Sequence, residues 1–506
     1  MFVNTFWALV PPILAIALAL LTKEAYSSLF IGIVIGALFL TGFSPVATVD
    51  TIINDGIVPA TADNAGIFVF LVILGIIVAL VNRSGGSAAF GRWAEKNIKT
   101  KTGAALATFA LGVLIFIDDY FNCLTVGSVM RPVTDSHKIS RQKLAFLIDA
   151  TAAPICMIAP ISSWAAAVSS TAEDLDTGIS GIQLFIRAIP YNFYSLLTLF
   201  FIVVLCVMKV DFGSMASYER KAQEGDLGGL PETEEEKIVS TKGKMIDLVV
   251  PILFLIAICT IGMVYVGGFF GVDAWGGTDY AGDFIGAFGN TDAFIGLPWG
   301  GIIALVFTVI WVVARRILTF KESMECVKTG FFNMVPPILI LTLAVSLKSM
   351  TSSLGAAEYI HGLMEGAATG LYAMLPAIIF IVACGLAFAT GTSWGTFGIL
   401  IPIVTAIFPA DSQLLIIGIS ACCAGAVCGD HCSPISDTTI MASAGAQCDH
   451  VSHVSTQLPY ALFVAAISFV CFVIAGFVHN PVICLALGAV FIVGALFVIK
   501  NKMKTA

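Results

Sequence analysis

The chain of 506 residues is 58% hydrophobic and only 11% charged, with a net charge of −8 and a mean hydropathy of +0.97. Soluble domains carry about 25% charged residues, so this composition excludes a soluble globular protein and predicts an all-α polytopic membrane protein. Most of the 13 cysteines lie in apolar runs such as Ala421-Cys-Cys423, which indicates buried thiols and argues against a disulfide framework.

Apolar segments long enough to span a bilayer alternate with short polar connections along the chain. The N-terminus lacks the basic region of a signal peptide, so we expect it to be retained. Spans of the first half are predicted at 6–22, 26–43, 65–82 and 188–208; between them, an apolar run covers 103–117, and the apolar segment 144–170 is interrupted by Pro154 and Pro160. Spans of the second half are predicted at 246–266, 296–314, 333–350, 372–389, 395–409, 412–427, 457–478 and 482–499. A glycine-rich, acidic insert at 267–295 has no assigned role.

Lysines and arginines predict the orientation of these spans. Because cytoplasmic loops are enriched in basic residues, the cytoplasm is predicted to contain 83–101, 131–143, 209–244, 315–328 and 500–504. The N-terminus is then outside and the C-terminus is cytoplasmic, and only Arg187 and Lys348 lie on the unexpected side. Segment 102–131 must enter and leave by the same face, which predicts a re-entrant helical hairpin.

Short motifs recur in the same order in both halves. Arg131-Pro-Val133 resembles Ile401-Pro-Ile403, and Ala159-Pro-Ile-Ser-Ser163 resembles Ser433-Pro-Ile-Ser-Asp437. Since the span at 65–82 and its counterpart at 333–350 run in opposite directions, the halves are predicted to be inverted repeats, which is typical of secondary transporters. The predicted units are 1–210 with hairpin 102–131, a linker at 211–244, 245–480 with hairpin 372–409 and a broken helix at 428–439, and a final span with a basic tail at 481–506.

Polar residues cluster at the two predicted hairpin tips and at two predicted helix breaks. Gly429 and Pro434 are expected to interrupt the helix at 428–439. Because charged side chains are costly in a bilayer, the predicted cation- and proton-binding residues are Asp430, Asp437, Asp118, Asp119 and Asp149. The groups predicted to coordinate an ion or substrate are Asn122, Ser162, Ser163, Thr390, Thr392, Ser393, His431, Ser433, Ser436 and Thr438. Such oxygen-rich sites suit a hard cation such as Na⁺, which competes with protons for desolvated carboxylates.

Other interpretations of these residues stay open. Asp118 and Asp119 lie in a surface loop if their segments form two complete spans. Ser162 and Ser163 satisfy only helix backbone groups if they behave as most intramembrane serines do. Asp149 is either an ion ligand or one half of a buried pair.

Two further sets of residues have a functional and a structural interpretation. A zinc site is disfavoured because the cysteines lack finger-like spacing; its residues would come from Cys428, His431, Cys432, Cys448, His450 and His453. Trp164 and Trp394 either stack on an organic substrate or pack in the core, and packing is the commoner role.

Long motifs carry a family resemblance. Gly429-Asp-His-Cys-Ser-Pro-Ile-Ser-Asp-Thr-Thr439, followed by the segment Asp449–Pro459, closely resembles the signature of NhaC-type sodium/proton antiporters. Phe116-Ile-Asp-Asp-Tyr-Phe-Asn122 resembles the first-half motif of that family, and the resemblance extends from about residue 6 to the span at 457–478. It implies the fold of the wider ion-transporter superfamily, with a scaffold and a mobile domain bearing two re-entrant hairpins. It also implies cation roles for Asp430 and Asp437, and then for the acids at 118 and 119.

The expected function is sodium/proton antiport across a bacterial inner membrane, with no enzymatic activity and no resident cofactor. Na⁺ and H⁺ are the expected transported ions. Because the family also contains malate/lactate exchangers and sodium-coupled amino-acid carriers, the alternative is a coupled carrier of an amino acid or small organic acid. The expected partners are the lipid bilayer, these ions and substrates, and a second copy in a homodimer, with no nucleic acid. A channel is disfavoured because nothing resembles a selectivity filter, and an intramembrane enzyme would need a bound metal.

Overall fold

The computed structural model is helical, which confirms the predicted class. It describes residues 2–22, 24–116, 119–160, 162, 164, 165, 168, 181–230, 240–356, 358, 359, 372–409 and 412–505. Within these residues, eight helices are long and apolar enough to cross a membrane, and a pair of helices bent by 50° makes nine if it forms one span. The protein is therefore a polytopic membrane protein.

The helices of the first half follow the predicted spans and fill some of the connections. They are α1 Val10–Thr22, α2 Ala25–Thr41, α3 Pro45–Thr51, α4 Val58–Asp63, α5 Ala65–Ser84, α6 Gly86–Asn97, α7 Lys101–Leu114, α8 Asp119–Ser136, α9 Arg141–Cys156, α10 Gly181–Ala188 and α11 Phe193–Met208. The helices between residues 45 and 63 were not predicted. The bent pair joins α10 to α11 through a 3₁₀ turn that contains Pro190, which lacks the N–H that a continuous helix would need.

The linker and the second half contain the remaining helices. They are α12 Ser214–Glu224, α13 Ile246–Val266, α14 Phe284–Gly289, α15 Ala293–Ala314, α16 Phe320–Ser353, α17 Leu375–Thr390, α18 Ser393–Ile407, α19 Gln413–Cys432, α20 Asp437–Ala446, α21 His450–Val478 and α22 Pro481–Thr505. Helix α16 begins well before the predicted span at 333–350, because Thr319 and Glu322 form a capping box at its start.

The two halves present the same order of elements. In each half, three apolar helices (α1, α2 and α5; α13, α15 and α16), with shorter helices beside some of them, precede a helical hairpin (α7 with α8; α17 with α18). A helix that ends at a break (α9; α19) and a further apolar helix (α11; α21) follow. The packing is reciprocal, since α5 of the first half contacts α15 and α16, and α16 of the second half contacts α2 and α5. Order and packing agree with a duplication, while the inversion and the unit boundaries stay predictions.

The predicted linker at 211–244 is partly folded. Its helix α12 packs on α9 and α21, and the Glu219 carboxylate accepts hydrogen bonds from the Ser140 backbone N–H at 2.8 Å and hydroxyl at 2.7 Å. Further along, the Leu230 N–H donates to the Gln447 carbonyl at 3.1 Å. Residues 211–230 thus tie the loop between α8 and α9 to the loop between α20 and α21. Residues 231–239 lie outside the described residues.

The insert at 267–295 is organised by one carboxylate. Asp273 Oδ1 accepts hydrogen bonds from the backbone N–H groups of Trp275 at 2.9 Å and Gly277 at 2.7 Å, and Oδ2 accepts one from the Asn290 side chain at 2.9 Å. These hydrogen bonds, led by that of Gly277, hold the pKa of Asp273 below its ordinary value. The insert therefore has a defined loop structure between α13 and α15.

We expect Asp273→Ala to increase amide exchange at Trp275 and Gly277, because both N–H groups lose their acceptor. The pKa of Asp273 is lower in the folded protein than in the unfolded chain. The stabilisation that its carboxylate gives the loop is therefore complete above the ordinary aspartate pKa of about 3.9, and it is lost as the pH falls through the lower pKa of the folded protein. Hydrogen exchange of the purified protein measures this effect. Asp279→Ala, at an exposed position of the same insert, is the control; equal exchange in both variants would contradict the prediction.

Helices α8 and α20 cross at backbone contact distance. A Cβ atom at Gly127 would lie 2.4 Å from the carbonyl carbon of Gly445, and one at Gly445 would lie 2.4 Å from the carbonyl oxygen of Cys123. Small residues allow such close crossings between membrane helices. The crossing joins the first hairpin to the helix that follows the break of the second half.

We expect Gly445→Ala to destabilise the protein by roughly 1–3 kcal/mol, because the added methyl group overpacks this crossing. Thermal unfolding in detergent measures the loss. Gly494→Ala is the matched control, since a Cβ at Gly494 meets no atom within 4 Å and alanine is the better helix former. Equal unfolding temperatures for the two variants would show that the crossing tolerates a side chain.

Candidate ion-binding site

The helix break of the second half comprises residues 433–436, between α19 and α20. It is shorter than predicted, because α19 continues through Gly429 to Cys432. The prediction that Gly429 interrupts the helix is wrong: its Cβ position lies 2.4 Å from the Cys384 carbonyl oxygen, so this glycine allows α17 to pack closely. Pro434 lies within the break, where its missing N–H prevents continuation of the helix. The Ser433 hydroxyl fixes the break by donating to the Phe388 carbonyl at 2.8 Å.

Asp430 lies on the α19 side of the break and is only 1% exposed. Its Oδ2 atom accepts a hydrogen bond from the Ser393 hydroxyl at the start of α18. Its Oδ1 atom is buried without a hydrogen bond in the described part of the chain. The second hairpin tip and the break thus meet as predicted, and an acceptor oxygen is left for a ligand.

Asp437 lies on the α20 side of the break, in the first helical turn. A helix N-terminus favours negative charge, and the Thr438 N–H donates to Oδ1 at 2.8 Å. Tyr120 of α8 donates its hydroxyl to Oδ2 at 2.5 Å. This contact joins the first hairpin to the break of the second half, and sequence reasoning did not single out Tyr120.

A cavity of about 370 Å³ opens beside Asp437. The predicted residues Thr390 and Thr392 line it, together with Trp394 and Lys348. Sequence reasoning noted Lys348 only as an exception to the predicted orientation; its position in an apolar helix was the signal for a functional role. The cavity, which Asp63 also lines, therefore combines two carboxylates, an ammonium group, hydroxyls and aromatic rings.

Trp394 also contacts the other candidate aromatic residue. Its ring centroid lies 6.3 Å from that of Trp164 in an edge-to-face arrangement. Trp164 is fully buried, whereas Trp394 is 40% exposed and lines the cavity. Trp164 thus packs in the core, and Trp394 is accessible to a bound molecule.

The first hairpin contributes less directly. Asp118 lies outside the described residues, and Asp119 is buried in the first turn of α8. The side-chain amide of Asn122 donates to the carbonyls of Gly112 and Ile115, both at 2.7 Å. Asn122, predicted as a neutral ligand, therefore uses its amide nitrogen to close the hairpin at the end of α7.

The break of the first half binds its own backbone. The Ser162 hydroxyl lies 2.7 Å from the Cys156 carbonyl oxygen and accepts a hydrogen bond from the Ala165 N–H at 3.0 Å. These contacts agree with the interpretation that Ser162 satisfies backbone groups, and not with its prediction as an ion ligand. Ser163 lies outside the described residues.

The remaining predicted hydroxyls have local partners. Thr390 donates to the Leu386 carbonyl at 2.8 Å, and Thr392 caps α18 by accepting from the Gly395 N–H at 3.3 Å. The hydroxyls of Ser436 and Thr438 lie 3.0 Å apart inside the break. Each of these oxygens retains acceptor capacity, because a hydroxyl carries two lone pairs.

Asp149 and His431 form a separate cluster. Asp149 Oδ2 lies 2.5 Å from the Gln457 side-chain nitrogen and 3.3 Å from His453 Nε2. These contacts agree with the interpretation of Asp149 as one half of a buried pair. His431 Nδ1 lies 3.0 Å from the Tyr194 hydroxyl. His453 and Gln457 were not assigned to the site; their i, i+4 spacing on one helix face was the available signal.

Two of the histidines considered as zinc ligands have partners within the protein. His453 belongs to the Asp149 pair, and His450 Nε2 lies 2.7 Å from the Pro434 carbonyl oxygen within the break. The two histidines therefore contact different partners.

Comparison with known proteins identifies the family. The model of the Na⁺/H⁺ antiporter family matches residues 165–477, which include the break and both of its aspartates. The chain belongs to the Na⁺/H⁺ antiporter family. It is therefore a secondary transporter and an integral membrane protein, and the resemblance to NhaC-type antiporters is confirmed.

Individual relatives extend this similarity. An uncharacterized protein of Haemophilus influenzae is 35% identical over 514 residues, covering 99% of this chain and 96% of that protein. The malate-2H⁺/Na⁺-lactate antiporter of Bacillus subtilis is 26% identical over 193 residues, covering 37% of this chain and 40% of that one. Neisseria gonorrhoeae MtrF, described as illuminating a class of antimetabolite efflux pumps, covers 85% of each chain at 14% identity, and its TM-score of 0.34 supports no further conclusion.

We expect Ser393→Ala to weaken sodium binding by roughly tenfold or more, because Asp430 loses a charge-assisted hydrogen bond of about 1.5–3 kcal/mol. The concentration dependence of ²²Na⁺ uptake into proteoliposomes measures the change. Ser420→Ala is the control, since the Ser420 hydroxyl on α19 is buried and has no hydrogen bond to any described residue. Equal apparent affinities would exclude Ser393 from the site.

Proposed function

We propose that this protein exchanges sodium for protons at Asp430 and Asp437, which alternate between a sodium-bound and a protonated state. The observation that carries the proposal is the pair of carboxylates on either side of one helix break, in contact with both hairpins. A single buried carboxylate accepts either a proton or a cation, so competition between the two couples their movements. The chain's own family supports this choice of ions.

The break offers the ligands that sodium requires. The Asp430 Oδ1 atom, the hydroxyls of Ser436 and Thr438 and the carboxylate of Asp437 are oxygen donors within a few residues of one another. Hard cations prefer such oxygen ligands. Asp430 is fully buried, whereas Asp437 shares its cavity with Lys348. A buried charge without a counter-ion is costly, so Asp430 in particular is expected to hold either sodium or a proton throughout the cycle. Asp119 is a further candidate acid from the first hairpin.

The proposed arrangement in the membrane follows the distribution of basic residues. Residues 1–210 and 245–480 form inverted repeats, and the hairpins at 102–131 and 372–409 are re-entrant. The N-terminus is outside, the C-terminus is cytoplasmic, and the membrane is a bacterial inner membrane. Accessibility of introduced cysteines to a membrane-impermeant reagent on either side of the membrane tests this orientation.

We expect the protein reconstituted in liposomes to move protons when sodium is added to one side, as followed by a pH-sensitive dye. Asp437→Asn should abolish the exchange, because the asparagine amide neither binds a proton at the pH of the assay nor balances the charge of sodium. Asp279→Asn in the exposed insert is the control and should retain the exchange. Unchanged exchange in Asp437→Asn, or proton movement that does not depend on sodium, would overturn the assignment.

A second candidate function is coupled transport of a small organic acid or amino acid. A cavity of about 370 Å³ is larger than an ion needs and falls in the range of about 300–1,000 Å³ of small-molecule sites. Lys348 supplies a positive charge for a carboxylate, and Trp394 supplies an apolar surface. The Bacillus subtilis relative is a malate-2H⁺/Na⁺-lactate antiporter, which makes this class of substrate worth testing.

Uptake of labelled malate, lactate and amino acids distinguishes the two candidates. If the protein is such a carrier, we expect Lys348→Gln to raise the KM roughly tenfold or more, because the carboxylate loses a charge-assisted contact of about 1.5–3 kcal/mol. Lys328→Gln, at an exposed position of the same helix, is the matched control. The absence of sodium-dependent uptake of every compound in the panel would remove this candidate.

A further inference from the structure

A second set of polar groups is buried away from the Asp437 cavity, where four helices meet. Its members are at most 1% exposed; they are Asp149 of α9, Tyr194 of α11, His431 of α19, and His453 and Gln457 of α21. None of them lines the cavity. Burying a carboxylate, two imidazoles, a phenol and an amide in an apolar bundle is expensive, so packing alone does not account for the cluster.

One carboxylate oxygen is shared between two donors. Asp149 Oδ2 accepts a hydrogen bond from Gln457 Nε2 at 2.5 Å and faces His453 Nε2 at 3.3 Å. The same Gln457 nitrogen donates to the His431 carbonyl at 2.9 Å. The contact between Asp149 and His453 is favourable only if a proton lies between them. Without that proton, the imidazole nitrogen and the carboxylate oxygen are both hydrogen-bond acceptors and repel each other.

Four further side-chain atoms of the cluster have no hydrogen-bond partner in the described part of the chain. They are Asp149 Oδ1, His431 Nε2, His453 Nδ1 and Gln457 Oε1. Each buried polar atom without a hydrogen bond costs about 1–3 kcal/mol, and native proteins contain only a few per hundred residues. Four in one cluster mark a place where a small polar species, such as a proton or a water molecule that carries it, is accommodated.

We propose that Asp149 and His453 form a proton-binding site distinct from the sodium site at Asp430 and Asp437. This inference rests on the proposed sodium/proton exchange and adds a second proton-binding site to the carboxylates at the break, where protons compete with sodium. A proton taken from water on one side binds Nδ1 of the neutral His453, whose Nε2–H faces the Asp149 carboxylate, and produces an imidazolium–carboxylate pair. Its release to water on the other side restores the neutral imidazole, while Gln457 continues to donate to Asp149.

The two sites are connected through the end of α19. Gln457 binds both Asp149 and the carbonyl of His431, and His431 directly follows Asp430. The side chains of these neighbours face opposite ways, Asp430 towards Ser393 and His431 towards Tyr194. A change of charge at the pair therefore alters the hydrogen bond that holds the helix end from which Asp430 projects.

Several other titratable groups influence the charge of the pair. They lie near enough to interact with the charge of Asp149 and are Asp430, His431 and Cys432 of α19, His450 of α21 and Tyr194 of α11. Asp149 and His453 differ from these in making a direct carboxylate–imidazole contact. This contact is the reason for assigning the proton to them.

Two transport measurements test the assignment. Counterflow of ²²Na⁺ against unlabelled Na⁺ at equal pH needs sodium binding but no net proton movement, whereas sodium-driven proton flux needs both ions. We expect Asp149→Asn and His453→Gln to retain counterflow and to lose proton flux by roughly tenfold or more, the effect of losing about 1.4 kcal/mol. The remaining flux should no longer depend on pH as in the wild type. Ser468→Ala, which removes a buried hydroxyl of α21 that has no hydrogen bond, should leave both measurements unchanged.

The outcomes separate this inference from the function on which it rests. A wild-type protein without sodium counterflow would overturn the proposed exchange itself. A working wild type with normal proton flux and pH dependence in both variants would overturn only the Asp149–His453 site. Loss of counterflow together with proton flux would show that the pair merely supports the fold. If Asp149→Asn does not fold, the result for His453→Gln alone decides whether the Asp149–His453 site exists, because glutamine keeps a side-chain amide that can donate to Asp149.

Discussion

Two carboxylates have to be accommodated inside an apolar bundle of helices, and much of the architecture serves to surround them. Asp430 and Asp437 lie at the two ends of one helix break, where neither is compensated by a nearby salt bridge among the described residues. Their hydrogen-bond donors are Ser393 at the tip of the second hairpin, Tyr120 on the first hairpin, and a backbone N–H at the N-terminus of α20. Both hairpins therefore have to end beside the break, and α8 has to approach α20 closely enough for Tyr120 to reach.

This dependence links ion binding to the positions of the hairpins. A ligand shifts a conformational equilibrium only by binding one state better than another. In this protein, each of the two proposed cation-binding carboxylates accepts a hydrogen bond from a hairpin residue. Cation binding at either carboxylate therefore changes the charge that holds a hairpin in place. The partly folded linker adds a connection on the predicted cytoplasmic side, because residues 211–230 bind the loops that precede α9 and α21. Movement of the break relative to the first half must therefore also deform the linker.

Hydropathy was sufficient to predict most long helices, and it failed where helices are polar or broken. Helix α12 is short and charged, and the helices between residues 45 and 63 are too short to be recognised as spans. The start of α16 depends on a capping box rather than on apolar residues. Gly429 was misinterpreted because a glycine in an apolar helix has two uses, interruption and close packing, and only the neighbouring helix α17 distinguishes them.

The sequence by itself determined the class, the family motif and the polar segments of interest, because a backbone in lipid must satisfy its own hydrogen bonds and charged residues are rarely kept there without use. Only the tertiary structure decided the role of each polar side chain. Asn122 and Ser162 bind backbone groups near them in the chain, whereas Tyr120 reaches Asp437 and Gln457 reaches Asp149 across the protein. The physical reason is that a side chain's partner depends on which helices become neighbours, and local spacing does not contain that information. The break at 433–436, evident as a motif, is a candidate site because the fold brings residues of distant helices to it.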